Sequence, residues 1–276
     1  MRTYAVVCFL LTATPLLSAP LAPNTTMTIP FPNLPPTFSN LADHTKTPPQ
    51  MTIYLPRNYN PTRKHPLLIV LSGGTGGTAS NPSVARKISQ ETDFVCVSLP
   101  LFKAPPPADS PPTQLADPGA NQSPLPATKP KTPDAILIRN PDCKYAWPLY
   151  KQMLAKLDET IPNLDPAHQI LGGFSNGAHA TSGLIDEFDG QVAARFSAFF
   201  FIEGGGKLQH YDLLKGKAFL MVYGSEKSRP RSQQIYESAK AAGARATIKG
   251  MNNVGHAFPE SEYPKVREWL RGPASE

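Results

Sequence analysis

Ile170-Leu171-Gly172-Gly173-Phe174-Ser175-Asn176-Gly177-Ala178 is the stretch on which the fold turns. An apolar run breaks into Gly-x-Ser-x-Gly, and residues 178–188 that follow suit a helix. Strand, sharp turn and helix in that order make a nucleophile elbow, which holds a serine in a strained conformation with its hydroxyl above the sheet. Bulky side chains two positions before or after the serine would block such a turn. Both positions are glycine here, Gly173 and Gly177. The pattern predicts that Ser175 is a nucleophile.

The chain on either side of the elbow reads as strands and helices in alternation. Residues 67–71 form a continuous aliphatic run, the mark of a strand buried on both faces, and break into the glycine-rich loop 72–77. Residues 51–56 and 94–99 are strand-like, and 81–91 predict a short helix between them. Helical spacing recurs at Tyr150, Met153, Leu154, Leu157 and Ile161. Beyond the elbow, 196–202, 218–223 and 246–251 predict strands, while 233–242 and 263–270 predict helices. Such alternation predicts an α/β fold, a mostly parallel central sheet with helices on both faces. The length of 276 residues suits one domain, placed over 51–271. Prolines are concentrated in a lead-in, 20–50, and in an insert, 104–133. Both read as irregular; the insert is either a lid over the pocket or a surface excursion.

A serine hydroxyl is a weak nucleophile. It needs a base within hydrogen-bond reach and a third group that orients the base. Of the six histidines, His256 fits the base, in Gly255-His256-Ala257-Phe258 past the last strand and before the last helix. His179, four residues after Ser175, is expected to pack under the elbow or to line the pocket. The acid belongs in a loop after a later strand. Glu226, just beyond Tyr223-Gly224, is preferred, and Glu203, after the preceding strand, is its competitor. The oxyanion donors are expected from the backbone N–H of Asn176 and from Gly74 or Thr75 in the glycine-rich loop. That loop has neither the Gly-Lys-Ser/Thr ending nor the G-x-G-x-x-G spacing of a nucleotide site. No metal and no organic cofactor are expected. Trp147, Tyr145, Phe102 and Phe258 are read as core or loop packing rather than as a ligand wall.

The net charge of +6 is spread along the chain without a basic block, which argues against a nucleic-acid partner. Met1-Arg2-Thr3 and the apolar residues 4–17 read as a signal peptide over 1–19, with no cysteine placed for a lipid anchor. The expectation is export, secreted or periplasmic, without a membrane anchor. Cys96 and Cys143 would remain after processing, to form a disulfide or to leave Cys96 as a buried strand thiol.

Tyr54-Leu55-Pro56, Tyr59, His65-Pro66-Leu67-Leu68-Ile69-Val70-Leu71-Ser72-Gly73-Gly74, Gly173-Phe174-Ser175-Asn176-Gly177 and Gly255-His256-Ala257-Phe258 together resemble the α/β-hydrolase superfamily. Within it the chain is similar to secreted esterases of the polyhydroxybutyrate-depolymerase and feruloyl-esterase type. The resemblance implies an α/β-hydrolase fold over roughly 50–271, with Ser175 and His256 as nucleophile and base. Ser72 stands where these enzymes usually carry a histidine, and Glu226 comes one place earlier than the commoner Gly-x-x-Asp spacing. The function expected is an exported serine esterase acting on a small-molecule or polymeric ester. Two alternatives remain open: a peptidase or acyltransferase with the same triad, and a non-catalytic binding module on the same scaffold.

Overall fold

In the computed structural model, residues 21–33, 48–74, 82–101 and 143–272 are described. The signal-peptide reading, Thr75 and the insert 104–133 lie outside them.

Strands β1 (Thr26–Pro30), β2 (Gln50–Tyr54) and β3 (His65–Leu71) come first, followed by helix α1 (Ser83–Ile88) and β4 (Val95–Ser98). Helix α2 (Cys143–Thr160), β5 (Leu164–Phe174), α3 (Asn176–Asp186), the short α4 (Gln191–Arg195) and β6 (Ala198–Ile202) make the middle. Then come β7 (Ala218–Tyr223), α5 (Arg229–Ala241), β8 (Arg245–Gly250) and α6 (Tyr263–Arg271). The eight strands form one sheet in the order β1-β2-β4-β3-β5-β6-β7-β8. From β4 to β8 neighbouring strands are parallel, and β2 alone runs against the rest.

Side chains alternate across a strand, so a continuous apolar run feeds two cores at once. Leu67, Ile69 and Leu71 of β3, with Phe199 and Phe201 of β6, face α2, α3 and α5, where Met153, Leu157, Leu184 and Ile235 are buried. Leu68, Val70, Phe200 and Ile202 face α1 and α6, where Ile88, Val266 and Trp269 close the other side. Phe200 meets Trp269 edge-on at 6.2 Å. Gly172 leaves room for that ring, because a Cβ there would overlap it. Trp147 is buried in the first core and donates to Gln191 Oε1 at 3.3 Å. Cys96 is a buried free thiol in the second core, on the face opposite α2, so the structure describes it as the strand thiol.

Several elements differ from their sequence-based expectations, and helix α5 starts four residues before the expected 233. The lead-in 20–50 contains β1, which pairs along β2 from Thr26↔Tyr54 to Pro30↔Gln50. Its side chains are half-exposed in alternation, so it is an edge strand with little apolar signal. Pro30 is tolerated there because it ends an outermost strand. Helix α2 starts seven residues before Tyr150 and carries Pro148, a residue that reads as a helix boundary in sequence. Helix α1 keeps only the middle of the expected 81–91.

Candidate active site

The groups of interest lie at the carboxyl ends of β3, β5, β6, β7 and β8. Ser175 follows β5 with φ 53 and ψ −120, a conformation rare outside glycine. Holding it there costs about 1–3 kcal/mol. Two backbone bonds clamp it: Ser175 N–H donates to Ile202 O at 2.9 Å, and His179 N–H donates to Ser175 O at 3.1 Å. The flanking glycines are required by space. A Cβ on Gly177 would overlap the carbonyl of Leu71, and one on Gly173 would overlap the backbone of Gly177.

The Ser175 hydroxyl lies 2.8 Å from His256 Nε2. His256 arrives on the loop after β8, fastened by Met251 N–H to Tyr223 O (2.8 Å) and Gly255 N–H to Gly224 O (3.0 Å). The two loops approach so closely that a Cβ on Gly224 would overlap the Gly255 carbonyl. The imidazole packs at 5.5 Å against the ring of Phe174, which also faces Phe258 at 6.4 Å.

On its far side His256 faces Glu203 and not Glu226. Glu203 Oε2 is 3.4 Å from His256 Nδ1, a long bond for a charged acceptor. The Glu203 side chain is 4% exposed. Its other oxygen, Oε1, accepts the Gly224 N–H and the Ser228 hydroxyl. Glu203 has φ 46, and its N–H continues the ladder to Val222 O. That turn swings the carboxylate across the end of β7 rather than out to solvent. Glu226, preferred on spacing, is 77% exposed and bonds Arg229 at 3.1 Å. Spacing from Gly224 places it in the loop after β7, on that loop's outer side. Ser228 and Phe174 carried no sequence signal, because a serine in a turn and an aromatic inside an elbow are commonplace.

The Asn176 side chain donates from Nδ2 to Gly74 O at 2.6 Å and so ties the elbow to the glycine-rich loop. Gly74 has φ +88, where glycine is at ease. The Asn176 N–H stands at the first position of α3, free of an intrahelical partner. His179 is largely buried one turn along. Burial, with Arg231 and His256 nearby, pushes its pKa down to about 4, so it is neutral at pH 7. Ser175, Glu203 and His256 thus stand in the chain order Ser, acid, His.

No family model and no curated protein matches the chain. Solved structures do match. A thermostable esterase is 17% identical, with a TM-score of 0.55 over 89% of this chain, which spans 62% of that protein's length. A carboxylesterase from Mesorhizobium loti is 16% identical, with a TM-score of 0.52 over 89% of this chain and 99% of its own. A ferulic acid esterase from Anaeromyces mucronatus is 13% identical, with a TM-score of 0.52 over 90% of each chain. Likeness at such identities speaks for the fold. By its sheet order, its elbow at the end of β5 and these likenesses, the chain has the α/β-hydrolase fold.

Proposed function

We propose that the protein is an exported serine hydrolase that cleaves carboxylic esters through an acyl-enzyme. The observation that carries the reading is the 2.8 Å contact between Ser175 Oγ, on its strained turn, and His256 Nε2. With Nδ1–H directed at Glu203, Nε2 is the free lone pair that takes the serine proton. Oγ attacks the ester carbonyl, and the oxyanion that forms is held by backbone N–H groups of Asn176 and of the Gly74–Thr75 loop. The imidazolium returns its proton to the leaving alkoxide as the C–O bond breaks. Water then repeats the sequence and releases the acid. Glu203 is the orienting acid in this reading, and Glu226 is left to a surface ion pair. Protein groups and water complete the chemistry. The esterase likenesses support an ester substrate, small or polymeric. Export rests on residues 1–19, and among the described residues no helix is long and apolar enough to cross a membrane.

Intact-mass measurement after fluorophosphonate treatment tests the reading. One adduct on the wild type and none on Ser175→Ala, with p-nitrophenyl ester turnover lost in the variant, is the expected result. A folded wild type that takes no adduct overturns it in favour of a binding module.

A further inference from the structure

Ser228 precedes α5 at its N-cap, where serine usually turns its hydroxyl to the first free N–H groups of the helix. It makes no such cap. Its hydroxyl reaches away from the helix, 2.6 Å from Glu203 Oε1 and 3.0 Å from Ser225 O. A serine has one proton to donate, and the carboxylate is both the nearer and the stronger acceptor. The Ser228 lone pairs are met by the Ser225 N–H at 3.3 Å. The turn 225–228 is thus wound around this oxygen, with Ser228 N–H returning to Ser225 O at 3.1 Å. The Gly224 N–H holds the same Oε1. With Oε1 occupied twice, only Oε2 of the buried carboxylate is left to meet the imidazole.

We propose that Ser228 is a positioning residue for catalysis: by giving up its cap to Glu203 Oε1, it fixes the plane of the carboxylate so that Oε2 faces His256 Nδ1. The loop after β7, where spacing predicts the acid itself, supplies instead the donors that hold an acid from β6. This inference rests on the hydrolase reading. Ser228 touches neither the ester nor the reacting atoms; it works only through Glu203.

The test is a double-mutant cycle on the full chain, with wild type, Ser228→Ala, Glu203→Gln and the double variant. The readouts are kcat and KM on p-nitrophenyl butyrate, the rate of fluorophosphonate labelling and the thermal midpoint. Loss of a hydrogen bond to a charged group is expected to lower kcat and the labelling rate about tenfold to hundredfold in Ser228→Ala, with KM within about twofold. In the Glu203→Gln background the same change is expected to cost less than about twofold, because no charged carboxylate remains to be positioned. A role confined to stability would shift the midpoint equally in both backgrounds and leave kcat alone. Equal labelling of Ser228→Ala and wild type, or an undiminished loss in the Glu203→Gln background, overturns the proposal and leaves the hydrolase reading standing. A wild type that takes no adduct removes both.

Discussion

Replacing Glu203 by Gln tests the arrangement of the site most directly. The carboxamide is nearly isosteric, so the side chain stays buried and its oxygen still accepts from Gly224 N–H and Ser228 Oγ. Its NH2 then faces His256 Nδ1, which must become an acceptor, and the ring proton moves to Nε2. In that tautomer Nε2 has no lone pair for the Ser175 proton. The lost charge can be sized from the geometry. Opposite unit charges 3.4 Å apart interact by about 5 kcal/mol at an effective dielectric constant of about 20. At ~1.4 kcal/mol per tenfold this is a rate factor between about 10³ and 10⁴. The His256 side chain is 63% exposed, and solvent screening favours the lower end, about 10³. Glu226→Gln removes only an exposed pair with Arg229 at 3.1 Å, worth about 0–1 kcal/mol in stability, and is expected to leave kcat within about twofold. Steady-state hydrolysis of a p-nitrophenyl ester, with Ser175→Ala as the blank, measures both variants. Glu203→Gln retaining activity within tenfold of wild type, or Glu226→Gln losing more than Glu203→Gln, would refute the reasoning.

Other perturbations probe the parts around this relay. Gly177→Ala forces a methyl into the Leu71 carbonyl; it is expected to cost about 1–3 kcal/mol in urea unfolding and to stop fluorophosphonate labelling. An unchanged labelling rate would show that the elbow tolerates a side chain. Asn176→Ala cuts the bond to Gly74 O while keeping its own backbone N–H. It is expected to lower kcat about tenfold with little change in thermal midpoint, and a drop in midpoint with kcat intact would assign the bond to stability. The folded pKa of His179, at about 4, lies below its unfolded value of 6.5. The unfolded chain therefore binds the extra proton first, and stability falls as pH drops from about 6.5 to about 4, by about 2–3 kcal/mol from this group. Urea midpoints from pH 7 to pH 4.5 should fall more steeply for wild type than for His179→Gln; superimposed profiles would remove the effect. Phe200→Ala empties the contact with Trp269 and is expected to cost about 3–5 kcal/mol in unfolding free energy.

Legibility in the sequence followed the kind of signal each element carries. Strands β3, β6 and β7 are buried on both faces, so their apolar runs are continuous and their limits show within a residue or two. Ser175 lies between glycines demanded by space, His256 follows a glycine held at positive φ, and either demand leaves a mark in sequence. Strand β1 left none, because five residues that alternate between exposed and half-buried at a sheet edge need no apolar run. The choice between the two glutamates is ambiguous in sequence for a different reason. Glu203 and Glu226 each follow a parallel strand within two residues of a glycine, and spacing alone does not say which carboxylate turns inward. The outcome depends on one backbone angle at Glu203 and on the missing side chain of Gly224, against which its carboxylate lies. Neither is a pattern along the chain.

Strands β5 and β6 are adjacent and in register up to Phe174↔Ile202, so Ser175 and Glu203 both leave from that same last rung of one ladder. The distance between Ser175 and Glu203 is then a property of the sheet itself. His256 is carried differently, on a loop beyond the half-exposed edge strand β8 and fastened by a few backbone bonds. Of the three groups it alone can come loose without melting the core. On gradual warming, activity should therefore fade before circular dichroism records any unfolding. Brief exposure in that interval should be fully reversible on cooling, since only the joint at the sheet's edge would have opened.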